Sequence, residues 1–332
     1  MKMEDMVAKG LFANSLRTVQ TAEGWMPVRF TERQMELYSK EERFHNRSHC
    51  PAGICLDFVS DTQSVELNYS LGSVVRKWAY FDIWLDGAMV ASLGPDTLEE
   101  DQGKVTFELG EGLPLGPHRR WTIYLPQNAM LTIHSLELSE GASIEAAKPH
   151  PRNLLCLGDS ITQGMDAKKP SSTYAVLLSR TLEMNLLNHG VGGYVFDANS
   201  LDESLPYKPD LVTVAYGTND WGRFETLDIF RHHCSEFMAK AAKLYAGVPM
   251  YVLTPYWRAD QQKVVKMGTL QQLSDVLREI GEAYPNITVV DGQKLIPHLP
   301  ELFGDGFLHP NDEGFLHIAM NLFKQIAANG HN

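Results

Sequence analysis

The chain has 332 residues, of which 44% are hydrophobic and 21% charged, and its net charge is −12. That length exceeds the usual single domain and supplies apolar material for two cores. The acidic balance argues against nucleic acid or an anionic membrane as partner, because both need a basic surface.

The opening residues Met1-Lys2-Met3-Glu4-Asp5-Met6 carry early acids and lack the layout of a secretory signal. No later run approaches the roughly 20 apolar residues of a membrane span, so a cytoplasmic location is expected. From about Arg43 to Ser139 the sequence reads as short strands of alternating character. They are Ile54–Phe58, Val65–Tyr69, Phe81–Leu85, Val105–Leu109, Trp121–Leu125 and Leu131–Leu138. Asp86-Gly87, Gly94-Pro95-Asp96 and Gly116-Pro117 supply turns between them, Asp86-Gly87 as a hairpin. Such punctuation predicts an all-β sandwich or jelly roll.

The stretch from Glu145 to Pro151 breaks this pattern and reads as a linker, giving units at 1–148 and 152–332. Beyond it strands and helices alternate. Asn153–Leu157, Leu211–Tyr216, Met250–Leu253 and Ile287–Val290 are apolar strand runs, and another sheet segment leads into Asn188. Tyr174, Leu177, Leu178 and Leu182 share a helical face, as do Leu227, Phe230, Phe237, Met238, Ala241 and Leu244. Leu270, Leu273, Leu277 and Ile280 mark a third helix, and the last runs from about Asp312 to Ala328. This alternation predicts an α/β unit with a parallel sheet covered by helices on both faces.

Cys156 and Cys234 lie in apolar patterns and read as buried thiols. Cys50 and Cys55 offer too few ligands for a structural zinc site. No metal and no organic cofactor is expected.

Four loops carry chemistry. Gly158-Asp159-Ser160-Ile161-Thr162 follows the first strand of the α/β unit, where ligands meet open parallel sheets. Ser160 there is either an exposed hydroxyl or a helix cap. Gly190-Val191-Gly192-Gly193 allows close backbone approach, though Val195 stands where a dinucleotide fingerprint needs glycine. In Gly217-Thr218-Asn219-Asp220 the Asn219 amide suits an oxyanion or an Asx turn. Pro310 keeps His309 out of helical geometry, and a histidine so held can deprotonate a nearby hydroxyl.

In this order the four motifs resemble the SGNH (GDSL-type) hydrolase family, over about residues 152–328. The resemblance implies a flavodoxin-like three-layer α/β/α fold and hydrolysis of acyl esters. It implies Ser160 as nucleophile, His309 as base and Asp305 as the acid that orients it. The oxyanion hole would be the N–H groups of Ser160 and Gly193 with the Asn219 side chain. One departure stands out: the family's Asp-x-x-His is here Asp305-x-x-x-His309, so a triad and a Ser–His dyad both stay open. A jelly roll in front of the hydrolase is similar to some carbohydrate acetylesterases, which points to an oligosaccharide or small-molecule acyl ester as partner. Trp221, Tyr194, Tyr256 and Trp257 near the cleft loops suit either sugar rings or packing. An acyltransferase and a non-catalytic carbohydrate-binding protein are the competing readings, and association into homo-oligomers stays open.

Overall fold

In the front half, alternation decides the architecture. Along Ser64–Val74 the side chains of Val65, Leu67, Tyr69 and Leu71 are buried while their neighbours face outward, the period-two pattern of a sheet covered on one side. The computed structural model describes residues 3–95, 102–110 and 118–331. Two antiparallel sheets pack face to face within it. One runs Phe12–Ala13, Cys55–Ser60, Arg119–Tyr124, Phe81–Leu85, Ala88–Leu93, and Ile144–Ala146 also pairs with Cys55–Ser60. The other runs Arg17–Gln20, Trp25–Val28, Ala129–Leu138, Ser64–Val74, Gln102–Glu108. Leu56, Phe58, Trp121, Leu67 and Ile133 fill the space between them.

Asp86 and Gly87 both adopt positive φ and close the hairpin between Phe81–Leu85 and Ala88–Leu93. The turn signals at Asp96 and Gly116-Pro117 lie outside the described residues. Two expectations need correction. Residues read as the start of the strand region form the helix Glu42–His49, preceded by the helix Glu32–Ser39. The linker reading began too early, because Glu145 and Ala146 still pair with the sandwich.

The rear half is built on five parallel strands: β1 (Arg152–Gly158), β2 (Met184–Gly190), β3 (Leu211–Ala215), β4 (Met250–Leu253) and β5 (Ile287–Val290). Their order is β2-β1-β3-β4-β5, the flavodoxin-like arrangement. The helices used below are α1 (Ser160–Gln163), α2 (Tyr174–Thr181), α3 (Thr218–Arg223), α4 (Leu227–Leu244), α5 (Leu270–Gly281) and α6 (Asp312–Ala328). Helices α2 and α6 cover one face, through Tyr174, Leu178, Phe315 and Leu322. Helices α4 and α5 cover the other, through Phe230, Phe237, Leu273 and Leu277. Phe30, Tyr38 and Phe44 join that second core, so the polar N-terminal helices pack onto the parallel-sheet half.

Because β1 is flanked by β2 and β3, their chains diverge at its carboxyl end and leave a crevice there. The four cysteines are all buried and free of disulfides. Among the described residues, no helix is long and apolar enough to cross a membrane.

Candidate active site

The cap role that competes for Ser160 is taken by its neighbour. Asp159 is the N-cap of α1, its Oδ1 accepting the Ile161 N–H at 3.0 Å. Ser160 is therefore the first helical residue, and its hydroxyl lies 2.9 Å from Nε2 of His309. Both residues are nearly buried, at 4% and 9% exposure, so little water competes for this contact.

His309 reaches Ser160 from a loop closed at its base. Phe303 pairs with Pro310 as a β-bridge, and the Gly304 N–H donates to the His309 carbonyl at 2.8 Å. Inside the loop, Asp305 Oδ1 accepts the N–H groups of Phe307, Leu308 and His309, at 2.9, 2.8 and 3.1 Å. Its Oδ2 accepts from His309 Nδ1 at 2.7 Å. The backbone thus folds around the carboxylate and absorbs the extra residue in the Asp305-to-His309 spacing. Burial works against the charge of Asp305. The hydrogen bonds from His309 and from the backbone outweigh it and hold the carboxyl well below the usual range.

At the ends of β2 and β3 the chain presents donors. Gly193 sits at φ +76°, a conformation that disfavours any side chain. Among the described residues, neither the Ser160 N–H nor the Gly193 N–H has a hydrogen-bond partner. Asn219 differs from them. Its Nδ2 donates to Asp159 Oδ2 at 3.0 Å and to the Tyr194 carbonyl at 3.2 Å, so both amide hydrogens are engaged. These bonds tie the loops after β1, β2 and β3 into one cluster, and one must yield before Asn219 can serve an oxyanion. Burial pushes the carboxyls of Asp159 and Asp220 up to about 7 each.

Residues 156–315 match the GDSL-like Lipase/Acylhydrolase family. The chain carries a GDSL-like hydrolase domain. No curated protein matches it. The salicylyl-acyltransferase SsfX3 from a tetracycline biosynthetic pathway superposes with a TM-score of 0.80 at 18% identity, over 96% of this chain and 94% of that one. A family two carbohydrate esterase from Clostridium thermocellum, in complex with cellohexaose, gives 0.62 at 15%, over 84% and 93%. The acetyl xylan esterase Est2A from Butyrivibrio proteoclasticus gives 0.64 at 13%, over 99% and 98%. At these identities the likeness concerns the fold.

The GDSL-like domain does not build its site alone. Arg76, in the turn after the sandwich strand Ser64–Val74, places Nη2 3.2 Å from both ring nitrogens of His309. An in-plane approach equidistant from both would collide with the ring carbon between them, so the guanidinium lies over the imidazole face. Its Nε meets Asp166 at 3.3 Å as a charge pair without hydrogen-bond geometry. Gln127, also from the sandwich, donates to the carbonyls of Gly164 and Ala167 just after α1. No sequence signal marks Arg76, because its partners Asp166 and His309 lie far along the chain, the latter 233 residues away.

Asp166, Asp305 and His309 offer ligand atoms within 4.8 Å of one another. The Arg76 cation already contacts Asp166 and His309, and both His309 nitrogens are engaged. An ion would have to displace these contacts. The aromatic residues near the cleft act as packing: Trp221, Tyr194 and Tyr256 are buried, and Trp257 rests on Phe303 with centroids 4.8 Å apart.

Proposed function

We propose that the chain is a serine esterase acting on small acyl esters, acetyl esters of carbohydrates foremost, with Ser160 as nucleophile and His309 as general base. The reading rests on one contact, Ser160 Oγ to His309 Nε2 at 2.9 Å. Asp305 on Nδ1 supports it by fixing the tautomer that leaves Nε2 free to accept the hydroxyl proton. In the proposed reaction His309 takes that proton as Ser160 attacks the ester carbonyl. The N–H groups of Ser160 and Gly193 and the Asn219 amide receive the oxyanion. Protonated His309 then passes its proton to the leaving alcohol, and water releases the acyl group by the reverse route.

The preference for sugar esters draws on the sandwich in front and on the carbohydrate esterases that share this fold. The proposed units are 1–148 and 152–332, with residues 30–44 lending apolar side chains to the second. SsfX3 favours a second reading, transfer of the acyl group to an acceptor hydroxyl instead of water. Product analysis with candidate alcohols present separates the two. Replacing Ser160 by alanine should abolish p-nitrophenyl acetate hydrolysis with the fold intact, and undiminished turnover would remove the esterase reading.

A further inference from the structure

The loop that presents Gly193 is gripped from behind. Arg47, on the helix Glu42–His49, donates from Nη1 to the Gly192 carbonyl at 2.7 Å. That carbonyl and the Gly193 N–H belong to one peptide unit, and among the described residues there is no cis peptide bond. In a trans unit the two groups point in opposite directions. A guanidinium pulling on the carbonyl side therefore fixes the N–H on the far side.

The approach is close. A Cβ on Gly193 would sit 2.8 Å from Arg47 Nη1, and one on Gly192 3.1 Å from Arg47 Cδ. Glycines let the arginine lie against the loop. On the other side, Gln163 of α1 accepts the Gly192 N–H at 2.9 Å, which ties the loop to the helix that begins with Ser160.

Arg47 forms no ion pair with a carboxylate among the described residues. Its own position is secured by Arg29, fully buried, which donates to the carbonyls of Arg47, Cys50, Asn188 and Gly190. An unneutralised cation on a carbonyl draws electron density through the peptide and makes the attached N–H a stronger donor.

We propose that Arg47 is a positioning residue for the oxyanion hole, holding and polarising the Gly192–Gly193 peptide so that the Gly193 N–H meets the developing oxyanion. The proposal rests on the esterase reading above. It is tested on the full chain with Arg47→Met and Arg47→Lys, assayed with p-nitrophenyl acetate beside Ser160→Ala.

Arg47→Met should lower kcat by about 10- to 100-fold, below the cost of deleting a direct donor, with KM within about threefold. Arg47→Lys should fall between, and added guanidinium should restore part of the Arg47→Met rate. A kcat within about twofold, or a loss confined to KM, overturns the proposal. So does a loss that comes with a lowered melting temperature and no response to guanidinium, which would make Arg47 merely structural. If Ser160→Ala stays active, the esterase reading has failed first, and the two failures are distinguishable.

Discussion

The two halves of the molecule solve burial differently and contribute differently to the site. The central parallel strands β1, β3 and β4 are largely apolar and buried on both faces, as in Leu154–Gly158, and the loops after β1, β2 and β3 carry Ser160, Gly193 and Asn219. In the sandwich the strands Ser64–Val74 and Ala129–Leu138 alternate, burying one face each, while Cys55–Ser60 and Phe81–Leu85 are buried almost throughout. What the first 130 residues bring to the crevice is support: Arg76 over the His309 ring, Gln127 under the end of α1, and Arg29 and Arg47 behind the glycine loop. Groups proposed to react come from one half, and most of the cations that hold them come from the other, Arg223 on the Gly193 carbonyl being a contribution of the rear half itself. The sandwich is thus part of the site's construction, whatever it binds.

That division can be broken most sharply inside the rear half. Asp305→Asn keeps an oxygen for the three backbone N–H groups but presents an amide N–H to His309 Nδ1, forcing the wrong tautomer. Esterase activity should fall by about 10²- to 10⁴-fold with little change in melting temperature. Retained activity would mean the site works as a dyad. The contribution of the front half is tested by Arg76→Ala, which frees the imidazole face and leaves Asp166 unpaired. A loss of roughly 10-fold in kcat/KM is expected, since a slightly misplaced base is costly. Activity within about twofold would confine the site to the rear half.

The smallest effect concerns pH. Asp159 and Asp220 have folded-state values near 7, above those of an unfolded chain, so the folded protein binds more protons between about pH 4 and 7. Their contribution to stability is therefore greatest at low pH and is lost as pH rises through 7. Asp202, held near 2, and Asp305 act the opposite way, but only below about pH 4. Buried His189, held down near 3, offsets part of this loss up to about pH 6.5. The melting temperature should therefore decline by only a few degrees from pH 5 to 8, and a rise over that range would contradict the burial of the Asp159–Asp220 pair.

The strands Phe81–Leu85 and Ile287–Val290 and the helix Asp312–Ala328 were legible residue for residue, because each carries a clear period and clear ends. The loops proposed for chemistry were legible because serine, glycine, asparagine and histidine motifs fall in a recognisable order. The helices at 32–49 were not, since Tyr38 and Phe44 are nearly the whole of their buried apolar face. The capping pair Thr31 and Gln34 was the readable signal there. Arg29 and Arg47 left none, because their partners are backbone carbonyls, those on the β2 side 145 to 161 residues away, which no motif records.

Catalysis by the proposed route requires that His309 activate the Ser160 hydroxyl, which can be read by treating the full chain with a fluorophosphonate and mapping the adduct by peptide mass spectrometry. A single adduct on Ser160, slowed at least about 100-fold in His309→Ala, is the predicted result. A folded chain that leaves Ser160 unmodified, or labels it equally fast without His309, would contradict it.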